Sequence, residues 1–138
     1  MRGLLKALLN YCINMNDKEP KEWTKARVDA FAVSSLRAGF RRFPPKWEVN
    51  AEGKMGKHVN KYSGRMAEHY LCASCGGLFI ARDVQVDHID PVVDPVVGFV
   101  NLDTFSDRLH CPKDNMQLLC KPCHKEKTNV ERKERKKK

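Results

Sequence analysis

Two cysteine pairs, Cys72-Ala-Ser-Cys75 and Cys120-Lys-Pro-Cys123, bracket an Asp87-His88 pair in this chain, with Asn115 just before the second cysteine pair and His124 directly behind it. Four soft thiolates in two chelating pairs suit a tetrahedral zinc ion at about 2.3 Å per bond. A redox CxxC needs only one pair and leaves the other unexplained. Because 44 residues separate Cys75 from Cys120, zinc closes a loop that holds nearly every other candidate residue. Its loss is therefore expected to abolish activity through unfolding. Cys12 and Cys111 are left over; both read as buried small hydrophobes, with Cys111 also a candidate spare ligand.

The remaining residues suit a different metal and a different task. Hydrolysing a phosphodiester requires a deprotonated water in line with the leaving 3′ oxygen, and a cation to neutralise the charge that builds on the phosphate. Neutral histidine, with a reference pKa of about 6.5, accepts a proton at physiological pH, which makes His88 the expected general base. Asp87 supplies a hard oxygen ligand and His124 an imidazole, leaving other positions for water and phosphate. This donor set suits Mg²⁺ or Mn²⁺ and also admits Ni²⁺ or Zn²⁺. Adjacent residues on a regular strand point to opposite faces, so Asp87 and His88 can serve one phosphate only where the strand ends or bends. Pro91 provides such a stop.

Charge is distributed to match. The 138 residues carry a net +9; residues 1–63 hold 13 Lys/Arg against 6 Asp/Glu, residues 64–124 hold 5 against 8, and residues 125–138 hold 8 against 3. Basic arms around an acidic centre suit a protein that grips a phosphate backbone and presents carboxylates to a cation, although solvated helix charge gives the same totals. Arg65, Lys121, Lys125 and Lys127 surround the expected site and can bind phosphate without reading sequence, with Arg41, Arg42 and Lys46 further out. Asp94, Asp107 and His110 read as solvent-facing acids and a satisfied histidine, each with an auxiliary ligand role as the alternative. His58 and His69 read as backbone or phosphate contacts.

Residues 2–16 and 24–43 show apolar residues at helical spacing, the second through Val28, Phe31, Ala32, Leu36, Phe40 and Phe43, and predict two amphipathic helices. Residues 16–20 break the first, and Pro44-Pro45 is expected to end the second. Residues 46–64 show no period and predict an extended basic linker. From Gly64 the texture changes: Tyr70 to Gly77 reads as a strand entering a metal knuckle and Val84 to Ile89 as a strand. Residues 101–110 read as a short helix within a long loop, and Pro122 as the first turn of a final helix. Residues 132–138 predict a frayed basic tail. The N-terminal apolar run contains a charge and no small-residue cleavage site, and no apolar run approaches the roughly 20 residues a membrane span needs, so a cytoplasmic, reducing setting without membrane contact is expected.

Residues 66–128 resemble the HNH endonuclease family, the ββα-metal nucleases, in the variant with a four-cysteine zinc site. The matching pieces are Cys72-x-x-Cys75, Val86-Asp87-His88-Ile89-x-Pro91, Asn115-Met-Gln-Leu-Leu-Cys120 and Cys120-x-x-Cys123-His124-x-x-Lys127-Thr128. Their order and spacing together are specific, and they cover a little under half of the chain. Upstream, Arg41-Arg-Phe-Pro-Pro45 running towards Tyr62-Ser-Gly-Arg65 is similar to small phage-encoded members. The resemblance implies an α+β fold, a ββα-metal core stapled by zinc and preceded by a helical basic region. With the nuclease domain set at 64–131, periodicity and charge assign an extension and linker to 1–63 and a basic tail to 132–138.

The resemblance also implies metal-dependent cleavage or nicking of DNA with one catalytic ion, in the host cytoplasm if phage-encoded, with phage terminase or other packaging proteins as candidate partners. Asn115 then fixes the loop around the base or touches the metal itself. A non-catalytic zinc-finger adaptor that binds DNA in packaging or replication is the alternative. The joint presence of Asp87, His88, Asn115 and His124 separates the two, since a binding module has no use for that set. The loop from Ile89 to Asp114 is longer than a compact hairpin of this kind needs.

Overall fold

A computed structural model describes residues 22–137. The helix expected over residues 2–16, the break after it and Cys12 lie outside the described residues. The described residues fall into two units that divide between Ala30 and Phe31. In the first, Thr24 Oγ1 accepts from the backbone N–H of Arg27 at 3.4 Å, opening helix α1 (Lys25–Phe40), and Lys25 pairs with Asp29 one turn on. The Arg27 guanidinium lies 4.7 Å from the centre of the Trp23 ring.

In the second unit, α1 stops at Phe40 and the two prolines open a new element. Proline lacks the N–H that the first helical turn leaves unused, so Pro44 and Pro45 start α2 (Pro44–Glu52). Strand β1 (Lys54–Val59) follows and pairs antiparallel with β2 (Met66–Leu71), which pairs in turn with β3 (Leu78–Ile80). The extended linker expected over residues 46–64 is thus corrected to a helix and a strand. The strand is hard to read because every residue of β1 is exposed, so no alternation marks it. Its register also slips between Lys54 and Lys57, around Gly56 at φ 85°.

Strand β4 (Val84–His88) and β5 (Met116–Cys120) form a separate antiparallel pair with Asp87 opposite Gln117 and His88 opposite Met116. Between them run a long loop and α3 (Leu102–Leu109), capped by the Asn101 side chain, which accepts from the Thr104 N–H at 2.8 Å. Pro122 in its first turn opens α4 (Lys121–Arg135) directly after β5. The helix continues through Arg135, so the expected fraying from residue 132 is corrected. Strand, strand and helix in this order give the expected ββα core in a mixed α+β fold.

Two apolar clusters hold the unit together. Phe40, Val49, Phe105, Leu109, Cys111 and Met116 form the larger, with Leu36, Phe43 and Val86 packed against it; Leu119, Cys72 and Cys120 form the smaller. Of the apolar positions read on α1, Leu36 and Phe40 enter the core, whereas Val28 and Phe31 stay exposed. Burying a side chain such as Phe40 or Phe105 contributes about 1.5–3 kcal/mol relative to exposure.

Candidate active site

The four cysteines converge. β2 runs straight into a knuckle in which Gly76 adopts φ 69°, donates its N–H to the Cys72 carbonyl at 3.0 Å and so folds Cys75 back beside Cys72. Cys120 ends β5 and Cys123 lies in the first turn of α4. All four sulfurs lie within 4.8 Å of one another, and those of Cys75 and Cys120 are 3.9 Å apart. Tetrahedral coordination at about 2.3 Å places thiolates about 3.8 Å apart, so the set fits one ion.

The backbone N–H of Cys120 donates to the Cys72 sulfur at 3.3 Å. Burial pushes the Cys72 thiol up, but the backbone N–H groups around it outweigh that and bring it down to about 6. Burial dominates at Cys120 and pushes that thiol up to about 12. Four thiols this close ionise together only beside a cation.

Asp87 and His88 at the end of β4 and His124 on α4 line one cavity of about 430 Å³. β4 ends at His88, where the N–H of Ile89 donates to the Asn115 carbonyl at 2.9 Å, so the condition for adjacent residues to share a site is met. His88 stacks at 5.1 Å from the Phe40 ring, and its Nε2 lies 2.8 Å from the Leu109 carbonyl oxygen. A carbonyl only accepts, so Nε2 carries the hydrogen and the neutral ring keeps Nδ1 as its acceptor.

His124 Nε2 stands 3.5 Å from Asp87 Oδ1. Two donors each about 2.1 Å from one ion lie roughly 3–3.5 Å apart, so this pair fits a shared divalent ion. The other carboxylate oxygen, Oδ2, accepts from Gln117 Nε2 at 3.2 Å and from Lys127 Nζ at 2.8 Å. Partial burial works against the Lys127 charge, but Asp87 and Glu131 outweigh it and hold the ammonium above its usual value.

Asn115 spans the turn after the strand, its Oδ1 accepting from the Asp90 N–H at 2.9 Å. Arg108 ties the same turn from the other side, pairing with Asp90 at 3.0 Å and donating from Nε to the Val92 carbonyl at 3.0 Å. Arg41 and Lys46 line the cavity, whereas Arg42, Arg65, Lys121 and Lys125 are exposed outside its lining.

Asp94 Oδ1 accepts from the N–H groups of Val96 and Val97, as a turn residue does, and Asp107 is exposed. His110 Nδ1 lies 2.9 Å from the Ser106 carbonyl and the ring packs edge-on to Phe43. His69 is buried with Nδ1 2.8 Å from the Ala67 carbonyl, and His58 Nε2 lies 3.2 Å from the Met55 carbonyl. Cys111 is buried apart from the thiolate set. Gln117, Glu131 and Arg37 also reach the site without having been expected there, and Phe40, expected as a helix core position, lines the cavity as well. Among the first three, Gln117 carries a signal, since a polar side chain interrupts an otherwise buried strand.

Residues 72–130 match the model of the family described as HNH endonuclease, which bears out the resemblance read from the motifs. A stretch of 65 residues is 38% identical to a protein of Lactococcus phage SK1 named "Probable HNH endonuclease" and covers 47% of this chain and 61% of that relative. The chain thus spans less than two thirds of the length of the curated relative it matches. No solved structure matches it. Among the described residues, no helix is long and apolar enough to cross a membrane.

Proposed function

We propose that this chain, with its HNH endonuclease match over residues 72–130, is a metal-dependent endonuclease that hydrolyses DNA phosphodiester bonds. One observation carries the reading. A histidine whose Nε2 is committed to a backbone carbonyl, and whose Nδ1 is therefore its acceptor, shares a cavity with an aspartate and a histidine spaced to hold one ion.

In this reading His88 takes a proton from water through Nδ1 while Leu109 and Phe40 hold its ring in place. Asp87 Oδ1 and His124 Nε2 hold a divalent ion, Mg²⁺ or Mn²⁺ by preference, with Ni²⁺ or Zn²⁺ admitted by the donors. When bound, that ion supplies charge neutralisation at the scissile phosphate and the leaving oxygen. Asn115 keeps the turn after His88 closed and so fixes the base relative to the ligands. The four cysteines hold a structural zinc, which pins the start of α4 and with it His124. Arg41, on the cavity wall, and the exposed Arg42, Arg65, Lys121 and Lys125 outside its lining bind the DNA backbone without reading sequence. The catalytic unit comprises residues 64–131, supported by α2 and β1.

The test is relaxation of supercoiled plasmid by zinc-loaded protein freed of other ions and then given Mg²⁺, Mn²⁺ or Ni²⁺ in turn. Ion-dependent nicking or linearisation is expected. DNA binding without cleavage under any ion would replace this reading with a non-catalytic adaptor.

A further inference from the structure

Lys127 read in the sequence as a cation free to meet phosphate. In the structure its ammonium is turned inward and its side chain is 26% exposed. Nζ lies 2.8 Å from Asp87 Oδ2, 2.6 Å from the backbone carbonyl of His88 and 2.9 Å from Glu131 Oε1. An ammonium has three N–H donors, and here three acceptors receive them. The Glu131 contact spans one helical turn and holds the lysine stem along α4, while the other two reach the end of β4.

One group therefore touches the carboxylate expected to hold the ion, the main chain of the expected base, and the helix that carries His124. Gln117, directly across the β4–β5 ladder from Asp87, donates to the same Oδ2 at 3.2 Å. With Oδ2 held twice, Oδ1 is the oxygen that faces His124 Nε2.

We infer that Lys127 is a positioning residue. Assisted by Gln117 and tethered by Glu131, it fixes the Asp87 carboxylate with Oδ1 towards His124 and locks His88 to α4. This rests on the nuclease reading and deepens it, because it assigns the lysine to the geometry of the site and removes it from the DNA contacts. Groups that orient a metal ligand without touching the metal are typically worth 10- to 100-fold in metal affinity or activity.

The experiment compares wild type, Lys127→Met and Gln117→Leu, each loaded with zinc, by Mn²⁺ titration calorimetry, by kcat and KM for plasmid cleavage, and by the salt dependence of duplex binding in ion-free buffer. Lys127→Met is expected to bind Mn²⁺ about tenfold or more weakly and to lose about 10- to 100-fold in kcat. Its KM and the salt slope of DNA binding should stay as in wild type. Gln117→Leu should move the same two quantities in the same direction by less, and it carries the test if Lys127→Met loses zinc or its fold.

A lysine that contacts phosphate gives the opposite pattern, with Mn²⁺ affinity intact and the salt slope smaller by about one; that result overturns the proposal. Wild-type properties in both variants overturn it as well. If wild type itself takes up no second ion and cuts nothing, the nuclease reading fails and takes the proposal with it, whereas a cleaving wild type matched by both variants sinks the proposal alone.

Discussion

The thiolate cluster and the cavity share the β4–β5 hairpin and α4, the cluster adding the knuckle after β2, yet they are assembled from different kinds of contact. Every donor of the cluster comes from one of two short CxxC segments, and a single glycine turn suffices to fold the first of them. The cavity takes Asp87 and His88 from one strand end, but their orientation depends on the Leu109 carbonyl 21 residues on, on Gln117 across the ladder and on Lys127 a helical turn beyond the cysteines. A chelating cluster can therefore be recognised from spacing, whereas the aim of a catalytic group is set by register and helix rotation.

This contrast predicts which changes are global and which are local. Replacing Cys120 by Ser, or stripping the zinc with a strong chelator, should have the largest effect. Zinc sites of this kind contribute on the order of 10 kcal/mol, more than the 5–15 kcal/mol typical of a small domain leaves to spare at its lower end. Loss of helical circular dichroism together with loss of zinc by elemental analysis is the expected outcome; retained structure without zinc would show that the cluster does not hold the fold.

At the cavity, His88→Ala should reduce cleavage by about 10²- to 10⁴-fold, the usual share of a general base, while zinc content and thermal midpoint stay close to wild type. Asn115→Ala should cost less, about tenfold in kcat through a looser Asp90 turn, with KM for plasmid unchanged; a change in KM alone would assign Asn115 to substrate binding. The smallest effect is expected for Arg41→Gln at the cavity wall. Duplex affinity should fall modestly and the salt slope should shrink by about one, uniformly across sequences. A sequence-dependent loss would instead make Arg41 a reader of bases.

The same contrast explains what could be read in advance. The cysteine knuckle, β4, the short helix with Leu102, Phe105 and Leu109, and the final helix opened by Pro122 were legible because each carries local punctuation or a buried period. The stretch from Pro44 to Val59 was not. Prolines that end one helix also open the next, and β1 shows no alternation because neither face is covered. The tail looks frayed for want of apolar residues, but α4 runs to Arg135, with Lys127 and Glu131 paired one turn apart within it. Among candidate site residues, Asp87, His88 and His124, marked by type and spacing, line one cavity, while Asn115 closes the turn after them. Lys127 was named for its charge, but the direction of its ammonium depends on the rotation of α4 against β4, which a linear pattern does not encode.

In the proposed reaction His88, held through Nε2, serves as the base of a phosphodiester hydrolysis. The most direct measurement is the single-turnover rate of supercoiled plasmid cleavage by wild type and His88→Ala at matched zinc content and saturating Mn²⁺. Ion-dependent nicking by wild type and a rate lower by about two orders of magnitude or more in the variant are expected. Equal rates would contradict this role of His88 and move the base elsewhere in the cavity.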